Sequence, residues 1–502
     1  APAWVRVVRA GNTFTGSWSA DGITWASVGS ITISMGSSAL AGLANTSDVA
    51  TLLNRTEFTN VAVSNVSPTV AATGALAAMS TLLGEASAAQ AIGVAGSGLT
   101  AAVIAAAPTG FEVSRDGITF GPTVQFVPTG GAVSGTLSVR LAASAAAGSY
   151  AGNVTLTSTG AAGVSVVTPA SAVTDELVFD IAADQTVTHS VSRSAAVKYI
   201  KRGLGTLVLD AASGHTGQTT VEAGTLAVAA GDALSSSAVR VTAGGSLKVN
   251  AGVTMKSPTV TIAGGTLDGT GATLLVNATT GIGTLAITSG AVTGSPSLTV
   301  SGNGVVTLPT DRRQVVALTA LAIDQAGGGR LDVGKGSIEV LAGGTTEAAL
   351  RASLVAGRNA GGFNGTAGIM TSGGKASPGS ANPVVGYRVL GTGAAIVAWA
   401  AYGDANLDGL VNSTDVSLVN AGARFNLGAP AAWAQGDFNY SNTVNSTDMS
   451  LFNGTGLFGA GSYLPVTPTG VQATSTTGST GVSQDAWIAL AFEAETRKTK
   501  KG

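Results

Sequence analysis

Apolar and polar residues alternate along much of the chain, and this two-residue period is typical of half-buried β-strands. The alternation is clear in GTLSVRLAA at residues 135–143 and in GNVTLTS at residues 152–158. Two Asp-Gly pairs, at Asp21 and Asp116, are strong signals for hairpin turns. Long stretches with helical periodicity are nearly absent. The pattern therefore predicts a mainly β chain, built as sandwiches or as a solenoid.

A longer period runs through the middle of the chain, where a Gly-Thr-Leu or Gly-Ser-Leu triplet recurs. The leucines follow one another at intervals of 19, 21, 20 and 18 residues. A unit of about 20 residues suits one coil of a parallel β-solenoid, with leucine stacked inside and glycine at the bend. The predicted buried stack consists of Leu207, Leu226, Leu247, Leu267 and Leu285.

Composition agrees with this pattern, and the length of the chain indicates the number of domains. Glycine accounts for 71 of the 502 residues, and aromatic residues for 5%. Small and β-branched residues with abundant glycine suit short strands joined by tight turns. A chain of this length accommodates three or four domains.

Charge and special residues exclude several classes of function. The net charge of −2 argues against nucleic acid as a partner, and the absence of cysteine rules out disulfides and thiolate metal sites. The longest apolar runs, such as Ala486–Phe492, are too short to span a membrane. His189 and His215 are too far apart in sequence to suggest a triad or a metal site. We therefore predict no catalytic residues.

Residues 1–66 resemble the C-terminal half of a laminin-G or concanavalin-like sandwich, through VRVVRAGNTFTGSWSADGITW, AGLANTS and TEFTNVAVSNV. The resemblance implies that the first half of such a domain precedes Ala1. Trp4, Trp18 and Trp25 are expected to fill the sandwich core, and stacking on a glycan partner is the open alternative.

Residues 67–173 resemble an immunoglobulin-like repeat of large bacterial surface proteins. The resemblance rests on the alternating strands above and on SAAQAIGVAGSGLTAAVIAAAPTGFEVSRDGITF. It implies a spacer or adhesive module without catalysis. The expected core aromatics are Phe111, Phe120, Phe126 and Tyr150.

Residues 174–400 carry the solenoid repeat. The first coils, KYIKRGLGTLVLDAASGHTGQTTVEAGTLAV at Lys198–Val228, resemble the autotransporter-associated β-strand repeat, which implies a right-handed parallel β-helix. By register, Lys248 and Asp268 should lie side by side on neighbouring coils. A carbohydrate-active β-helix enzyme would need further ionisable groups on the same face, and a bare face would favour a scaffold.

The strongest chemical motif lies at residues 401–460, where GDANLDGLVNSTD places oxygen-bearing side chains at alternating positions. A calcium loop needs such ligands at positions 1, 3, 5, 7, 9 and 12 of a twelve-residue turn, with a left-handed residue at position 6. Gly409 occupies position 6. The predicted ligands are Asp404, Asn406, Asp408, the carbonyl of Leu410, Asn412 and Asp415.

A second copy of the motif, GDFNYSNTVNSTD, begins 33 residues later. Its ligand positions hold Asp437, Asn439, Ser441, Thr443, Asn445 and Asp448. Asn442 takes the left-handed position, which asparagine tolerates. We expect one or two Ca²⁺ ions, with the first loop binding more strongly because it has one more carboxylate.

Two calcium loops, each leading into a helix, resemble a type I dockerin. The resemblance implies that loop positions 10 and 11 contact a cohesin-type protein; these positions are Ser413, Thr414, Ser446 and Thr447. A purely local interpretation is that Asn412 or Ser413 caps the helix and Asp415 favours its first turn. The two helices are expected to pack together through Val416, Val419, Met449 and Phe452. Residues 461–502 are predicted to be a flexible tail with a basic end.

Together these patterns predict a mainly β protein with sandwich modules, a right-handed parallel solenoid and a small α-helical, EF-hand-like calcium module. The expected function is that of a non-catalytic structural or adhesive protein, secreted or held at a bacterial cell surface and attached through the calcium module. The alternative is a β-helix enzyme acting on polysaccharide and targeted through its dockerin-like module.

Overall fold

The computed structural model describes residues 3–36, 39–47, 49, 51, 53–64, 67–193 and 195–465. The chain divides into two compact units, Ala1–Asp175 and Glu176–Gly502. Most of the predicted tail, from residue 466 onward, lies outside the described residues.

The first unit begins with a three-stranded antiparallel sheet in the order β1-β2-β3. Its strands are β1 (Trp4–Ala10), β2 (Thr13–Ser19) and β3 (Ala26–Thr32). The predicted turn at Asp21 joins β2 to β3, and its carboxylate accepts hydrogen bonds from the amides of Ile23 and Thr24, each at 2.8 Å. Within the described part of residues 33–66 there is no further strand. The resemblance to a lectin-like sandwich stays a prediction.

The tryptophans of this sheet do not fill a core. Trp4 and Trp18 are 44% and 48% exposed, and Trp25 is partly buried beneath the guanidinium of Arg6, which lies 4.2 Å from its ring centroid. The expectation of buried tryptophans is therefore wrong for Trp4 and Trp18, because the described residues place no second sheet against them.

The rest of the first unit is a two-sheet β-sandwich. One sheet has the order β4-β6-β10-β8 and the other the order β5-β12-β11-β7-β9. The strands are β4 (Thr69–Thr73), β5 (Ser80–Leu82), β6 (Gln90–Ser97), β7 (Val103–Ala106), β8 (Phe111–Ser114), β9 (Thr123–Phe126), β10 (Val133–Leu141), β11 (Gly148–Thr157) and β12 (Val164–Thr174). The alternating residues of β10 face the core in turn, as the sequence pattern predicts; Leu137, Val139 and Leu141 are fully buried.

Two of the four expected core aromatics occupy that core. Phe111 and Phe126 are 5% and 4% exposed. Tyr150 is partly buried and packs against the core, while its hydroxyl donates to the carbonyl of Ala146 at the surface. Phe120 is only partly buried and lies 3.6 Å beneath the guanidinium of Arg140. The sandwich is observed, whereas its immunoglobulin-like kinship stays a prediction.

The second unit is dominated by a parallel β-solenoid whose coils stack strand on strand. Its strands up to the longest pair are β13 (Glu176–Asp180), β14 (Thr186–His189), β15 (Lys198–Arg202), β16 (Thr206–Leu209), β17 (Thr219–Val221), β18 (Gly224–Val228), β19 (Val239–Thr242), β20 (Gly245–Val249), β21 (Ser257–Asp268), β22 (Thr273–Val276) and β23 (Ile282–Thr293). The later ones are β24 (Ser297–Val300), β25 (Val305–Thr307), β26 (Val315–Leu318), β27 (Ala320–Ile323), β28 (Arg330–Asp332), β29 (Ser337–Val340) and β30 (Gly368–Met370). Parallel pairing therefore continues well beyond the residues where the repeat is visible in sequence.

The predicted leucine stack is correct for four of its five members. Leu207, Leu226, Leu247 and Leu267 pair in register on successive strands, and each is at most 1% exposed. The next residue in the stack is Val292, so the prediction for the fifth leucine is wrong.

The fifth leucine, Leu285, is buried in a neighbouring ladder, where it pairs with Val260 and Val306. The reason is that β21 and β23 are long strands that each run through two ladders and bend at a glycine in between. At one of these bends Gly290 has φ of +97°, and a Cβ there would collide with the carbonyl oxygen of Gly265. The triplet that follows after 18 residues therefore lies in a different ladder.

The end of the solenoid contains one helix and one hairpin that the sequence pattern did not predict, followed by the two helices that it did predict. Helix α1 (Glu347–Arg358) is capped by Thr346, whose hydroxyl accepts from the amide of Ala349, and it buries Leu350 and Leu354. The hairpin of β31 (Val384–Val389) and β32 (Ala395–Ala400) adds to β29 in antiparallel fashion. Helices α2 (Ser413–Gly422) and α3 (Ser446–Gly454) follow, each after one acidic loop. Short 3₁₀ turns lie at Gly231–Leu234, Asn359–Gly361 and Trp433–Gln435.

Candidate metal centre

The first acidic loop folds around the carboxylate of Asp404, which is fully buried. One carboxylate oxygen accepts from the amide of Asp408 at 3.2 Å, and the other accepts from the amide of Gly409 at 2.9 Å. Gly409 has the left-handed conformation expected at position 6, with φ of 88°, and Leu407 is also left-handed, with φ of 62°. The chain thus wraps its own amides around the first acid of the motif.

The middle of the loop is held by Asn406 and Asp408. The side-chain oxygen of Asn406 accepts from the amide of Asp408 at 2.9 Å, and its amide nitrogen donates to Oδ2 of Asp408 at 2.8 Å. Oδ1 of Asp408 accepts from the amide of Leu410 at 2.8 Å. Asn406 is buried, whereas Asp408 is exposed, so the loop keeps one carboxylate open to solvent.

The last acid of the loop, Asp415, serves the loop and the helix together. Its carboxylate accepts from the amides of Ala405 at 2.8 Å and Asn412 at 2.9 Å. The side chain of Asn412 accepts from the amide of Thr414, so Asn412 and Asp415 form a capping box at the start of α2. The local interpretation of these residues is therefore correct, and it leaves the cation-binding interpretation open.

Burial and mutual repulsion disfavour the ionised form of the carboxylates in the first loop. Burial raises the pKa of Asp404 to about 7, and the charges of Asp415 and Asp408 raise it further, against the hydrogen bonds from Tyr463 and Gly409. Burial also raises the pKa of Asp415. A cation among these oxygens would favour the ionised carboxylates.

The donor set of the loop fits a hard cation, since carboxylate, amide and carbonyl oxygens are the ligands of Ca²⁺. Among the described residues, no group of three or more Asp, Glu, His or Cys side chains is arranged to hold a metal ion. An ion at this loop would therefore depend on the oxygens of Asn406 and Leu410 as well as on carboxylates.

The second loop repeats the same backbone. Asp437 is fully buried, and its Oδ2 accepts from the amide of Asn442 at 2.9 Å. Tyr440 and Asn442 are left-handed, with φ of 59° and 71°, as Leu407 and Gly409 are in the first loop. Asp448 accepts from the amides of Asn439 at 3.1 Å and Asn445 at 3.0 Å.

The remaining second-loop positions hydrogen-bond within the loop. Oδ1 of Asn439 accepts from the amide of Ser441 at 2.8 Å, and the hydroxyl of Ser441 donates to the carbonyl of Thr443 at 3.0 Å. That hydroxyl lies 3.5 Å from Oδ1 of Asp437. Asn445 caps α3 through the amide of Thr447.

Two residues that sequence reasoning missed complete the loops from outside. The hydroxyl of Tyr463 donates to Oδ2 of Asp404 at 2.6 Å, although the sequence pattern predicts a flexible tail at this position. Nη2 of Arg351, on helix α1, donates to Oδ2 of Asp437 at 2.7 Å. These partners are separated by 59 and 86 residues in sequence, and no local pattern signals either contact.

The four candidate partner-contact residues, Ser413, Thr414, Ser446 and Thr447, are exposed at the starts of α2 and α3. The expected packing of the two helices on each other through four apolar residues is wrong, since Val416 is 36% exposed and the others are only partly buried. Val419 instead lies against Gly436, and the ring of Phe452 lies against Gly403.

On the solenoid face, Lys248 and Asp268 pair in register as predicted. Their neighbours along the same ladder are Ala227 and Thr293. Oδ1 of Asp268 accepts from the hydroxyl and the amide of Thr270. Neither of these two neighbours is an acid or a base.

Comparison with known proteins gives one finding, on the solenoid. A family model described as Passenger-associated-transport-repeat matches residues 200–228, which run from β15 to the end of β18. Neither the curated proteins nor the solved structures yielded a match. No helix within the described residues is long and apolar enough to cross a membrane. The chain thus contains a β-solenoid with a passenger-type repeat, and this bears out the repeat resemblance drawn from Lys198–Val228.

Proposed function

We propose that this protein is a non-catalytic structural or adhesive module of the bacterial cell surface or the secreted space, of the kind carried as an autotransporter-like passenger. The observation that carries this proposal is the parallel solenoid, in which residues 200–228 match the passenger-associated repeat. A long stack of short strands, in a chain with only 10% charged residues, is suited to spacing and contact rather than to chemistry.

We further propose that the two-loop segment binds Ca²⁺, chiefly at the first loop, and attaches the protein to a partner. The donor oxygens of Asp404, Asn406 and Asp408 support the ion, and the exposed Ser413-Thr414 and Ser446-Thr447 pairs support a cohesin-type protein as the partner. A glycan remains the alternative partner for the exposed tryptophans of the N-terminal sheet.

The calcium part is tested by calorimetric titration of the full chain with Ca²⁺. The wild type should bind at least one ion, and the Asp404→Asn, Asp408→Asn double variant should lose it. An Asp268→Asn variant is the control, because it removes a carboxylate of the solenoid and should bind as the wild type does. Equal binding by the double variant would refute the assignment of the first loop.

The attachment part is tested with immobilised cohesin-type protein and with immobilised polysaccharides, in Ca²⁺ and in EGTA. We expect calcium-dependent retention without release of reducing ends. Retention lost in Ser413→Ala, Thr414→Leu would assign the contact to α2. Release of sugar that disappears in Lys248→Met would instead favour the enzyme.

A further inference from the structure

The two loops share one feature that links each of them to a residue outside the motif. In both, Oδ2 of the first acid accepts from the amide at position 6 and from one external side chain. For Asp404 the external donor is the neutral hydroxyl of Tyr463, and for Asp437 it is the guanidinium of Arg351. The equivalent oxygen therefore meets a neutral group in one loop and a cation in the other.

This difference changes the net charge of the second loop only, because the tyrosine hydroxyl is neutral and the guanidinium is a cation. The first loop contains three carboxylates, Asp404, Asp408 and Asp415, and the charges acting on Asp404 are those of the other two. The second loop contains two carboxylates, and the guanidinium at 2.7 Å compensates one of them. Asp437 is fully buried and the Arg351 side chain is 19% exposed, so solvent screens this ion pair little.

The same arginine connects the loop to the end of the solenoid. Arg351 lies on α1, whose Leu350 and Leu354 are buried, and its guanidinium lies 5.7 Å from the ring centroid of Tyr440. The hydroxyl of Tyr440 donates to the carbonyl of Val385 in the terminal hairpin. The second loop thus contacts helix α1 through Asp437 and the terminal hairpin through Tyr440.

Further contacts agree with this docking. The ring of Tyr440 lies 6.0 Å from the ring of Tyr387 and 5.8 Å from that of Phe363. The hydroxyl of Ser377 donates to the carbonyl of Thr455 after α3. Ring packing and hydrogen bonds of this kind require no metal ion.

We infer that Arg351 is the built-in counter-cation of the second loop, so that this loop closes on the solenoid without Ca²⁺ and the chain takes up one ion, at the first loop. The stoichiometry rests on the calcium binding proposed above, whereas the docking of the second loop does not. Arg351 adds a positive charge beside Asp437 and leaves Oδ1 of that acid facing the hydroxyl of Ser441. Removing the charge should therefore make the second loop a better cation site.

The experiment uses the full chain with Arg351→Gln, the charge-preserving Arg351→Lys, and Arg358→Gln as matched control on the same helix. The rate of hydrogen exchange in EDTA measures how stably residues 437–454 are docked. In Arg351→Gln we expect exchange there to accelerate roughly tenfold or more, since the buried carboxylate loses its partner. Arg358→Gln should stay within about twofold of the wild type, as expected of a change away from the ion pair.

Calorimetric titration with Ca²⁺ reads the stoichiometry. The wild type, Arg351→Lys and Arg358→Gln should bind one ion. Arg351→Gln should bind a second ion as well, with an affinity at least about tenfold above that of the wild type for a second ion, because a like charge beside the site is gone. Two ions of similar affinity in the wild type, or unchanged second-site binding in Arg351→Gln, would overturn the counter-cation role.

The two arms separate this inference from the calcium proposal. If the wild type binds no ion while Arg351→Gln loosens residues 437–454, calcium binding by the first loop fails and the docking by Arg351 stands. If exchange in Arg351→Gln equals that of the wild type, the docking role is refuted whatever the titration gives.

Discussion

At the scale of single residues, the solenoid interior contains a series of hydrogen-bonded polar side chains around His215. This histidine is fully buried; its Nδ1 lies 2.9 Å from the hydroxyl of Ser213 and its Nε2 lies 3.0 Å from that of Thr219. The hydroxyl of Ser237 lies 2.8 Å from that of Thr219, and the ring of Tyr199 stacks on the imidazole with 3.9 Å between the ring centroids. Each buried polar atom of this group finds a partner, as burial requires.

This environment makes the fold sensitive to acid. Burial, and then the charge of His189, lower the pKa of His215 to about 4. Because an unfolded histidine titrates near 6.5, the unfolded chain binds the proton first as pH falls. The contribution of His215 to stability should therefore be complete above about pH 6.5 and should decline toward pH 4.

The pKa of His215 can be measured by NMR, since the chain has only two histidines. A His189→Gln variant leaves one imidazole signal, which should titrate well below the ordinary value. A signal that titrates near the ordinary value of about 6.5 would contradict the buried arrangement.

At the scale of elements, the solenoid owes its cohesion to apolar ladders that run through successive strands. Leu226, Leu247 and Leu267 follow one another in register and are fully buried. No single coil can bury its own inner face, so each leucine depends on the coils before and after it. A defect in one coil should therefore weaken its neighbours.

Replacing Leu247 with alanine should lower the free energy of unfolding of the solenoid by about 2–5 kcal/mol, from lost burial and the cavity left behind. Chemical denaturation followed by circular dichroism measures the change. Leu204→Ala is the matched control, because Leu204 is 72% exposed, and it should cost at most about 0.5 kcal/mol. Equal losses in the two variants would contradict the ladder.

At the scale of the whole molecule, the two-loop segment lies in the same compact unit as the solenoid and contacts its last elements. A stack of coils needs a terminal element that covers its open end. Helix α1, the hairpin of β31 and β32 and the second loop supply such contacts here. The two-loop segment, which the sequence predicts as a separate module, thus contacts the end of the solenoid.

This arrangement predicts where calcium removal should act. If the first loop binds Ca²⁺ as proposed, and only in the folded form, the ion at about a thousand times its dissociation constant should stabilise that loop by about 4 kcal/mol. Chelation should therefore accelerate hydrogen exchange at residues 404–422 and leave the sandwich of residues 67–173 unchanged. Uniform acceleration across the chain, or none at residues 404–422, would contradict this expectation.

Much of the fold and part of the site could be predicted, because the signals concerned are local. The alternation in β10, the leucine spacing up to Leu267 and the twelve-residue loops each arise from neighbours in sequence. The Asp and Asn side chains of the loops hydrogen-bond to amides two to ten residues away. Such patterns are readable because short stretches satisfy their own backbone groups.

The sequence alone determined the mainly β character, the coil period and the acids of both loops, since each depends on which side chains fit a turn or a strand. Only the tertiary structure decided that Leu285 belongs to another ladder, that Tyr463 joins Asp404, and that Arg351 joins Asp437. These outcomes depend on where a long strand bends and on which surfaces the stacked coils bring together. Contacts between residues 59 and 86 positions apart leave no periodic trace in sequence, because nothing local requires them.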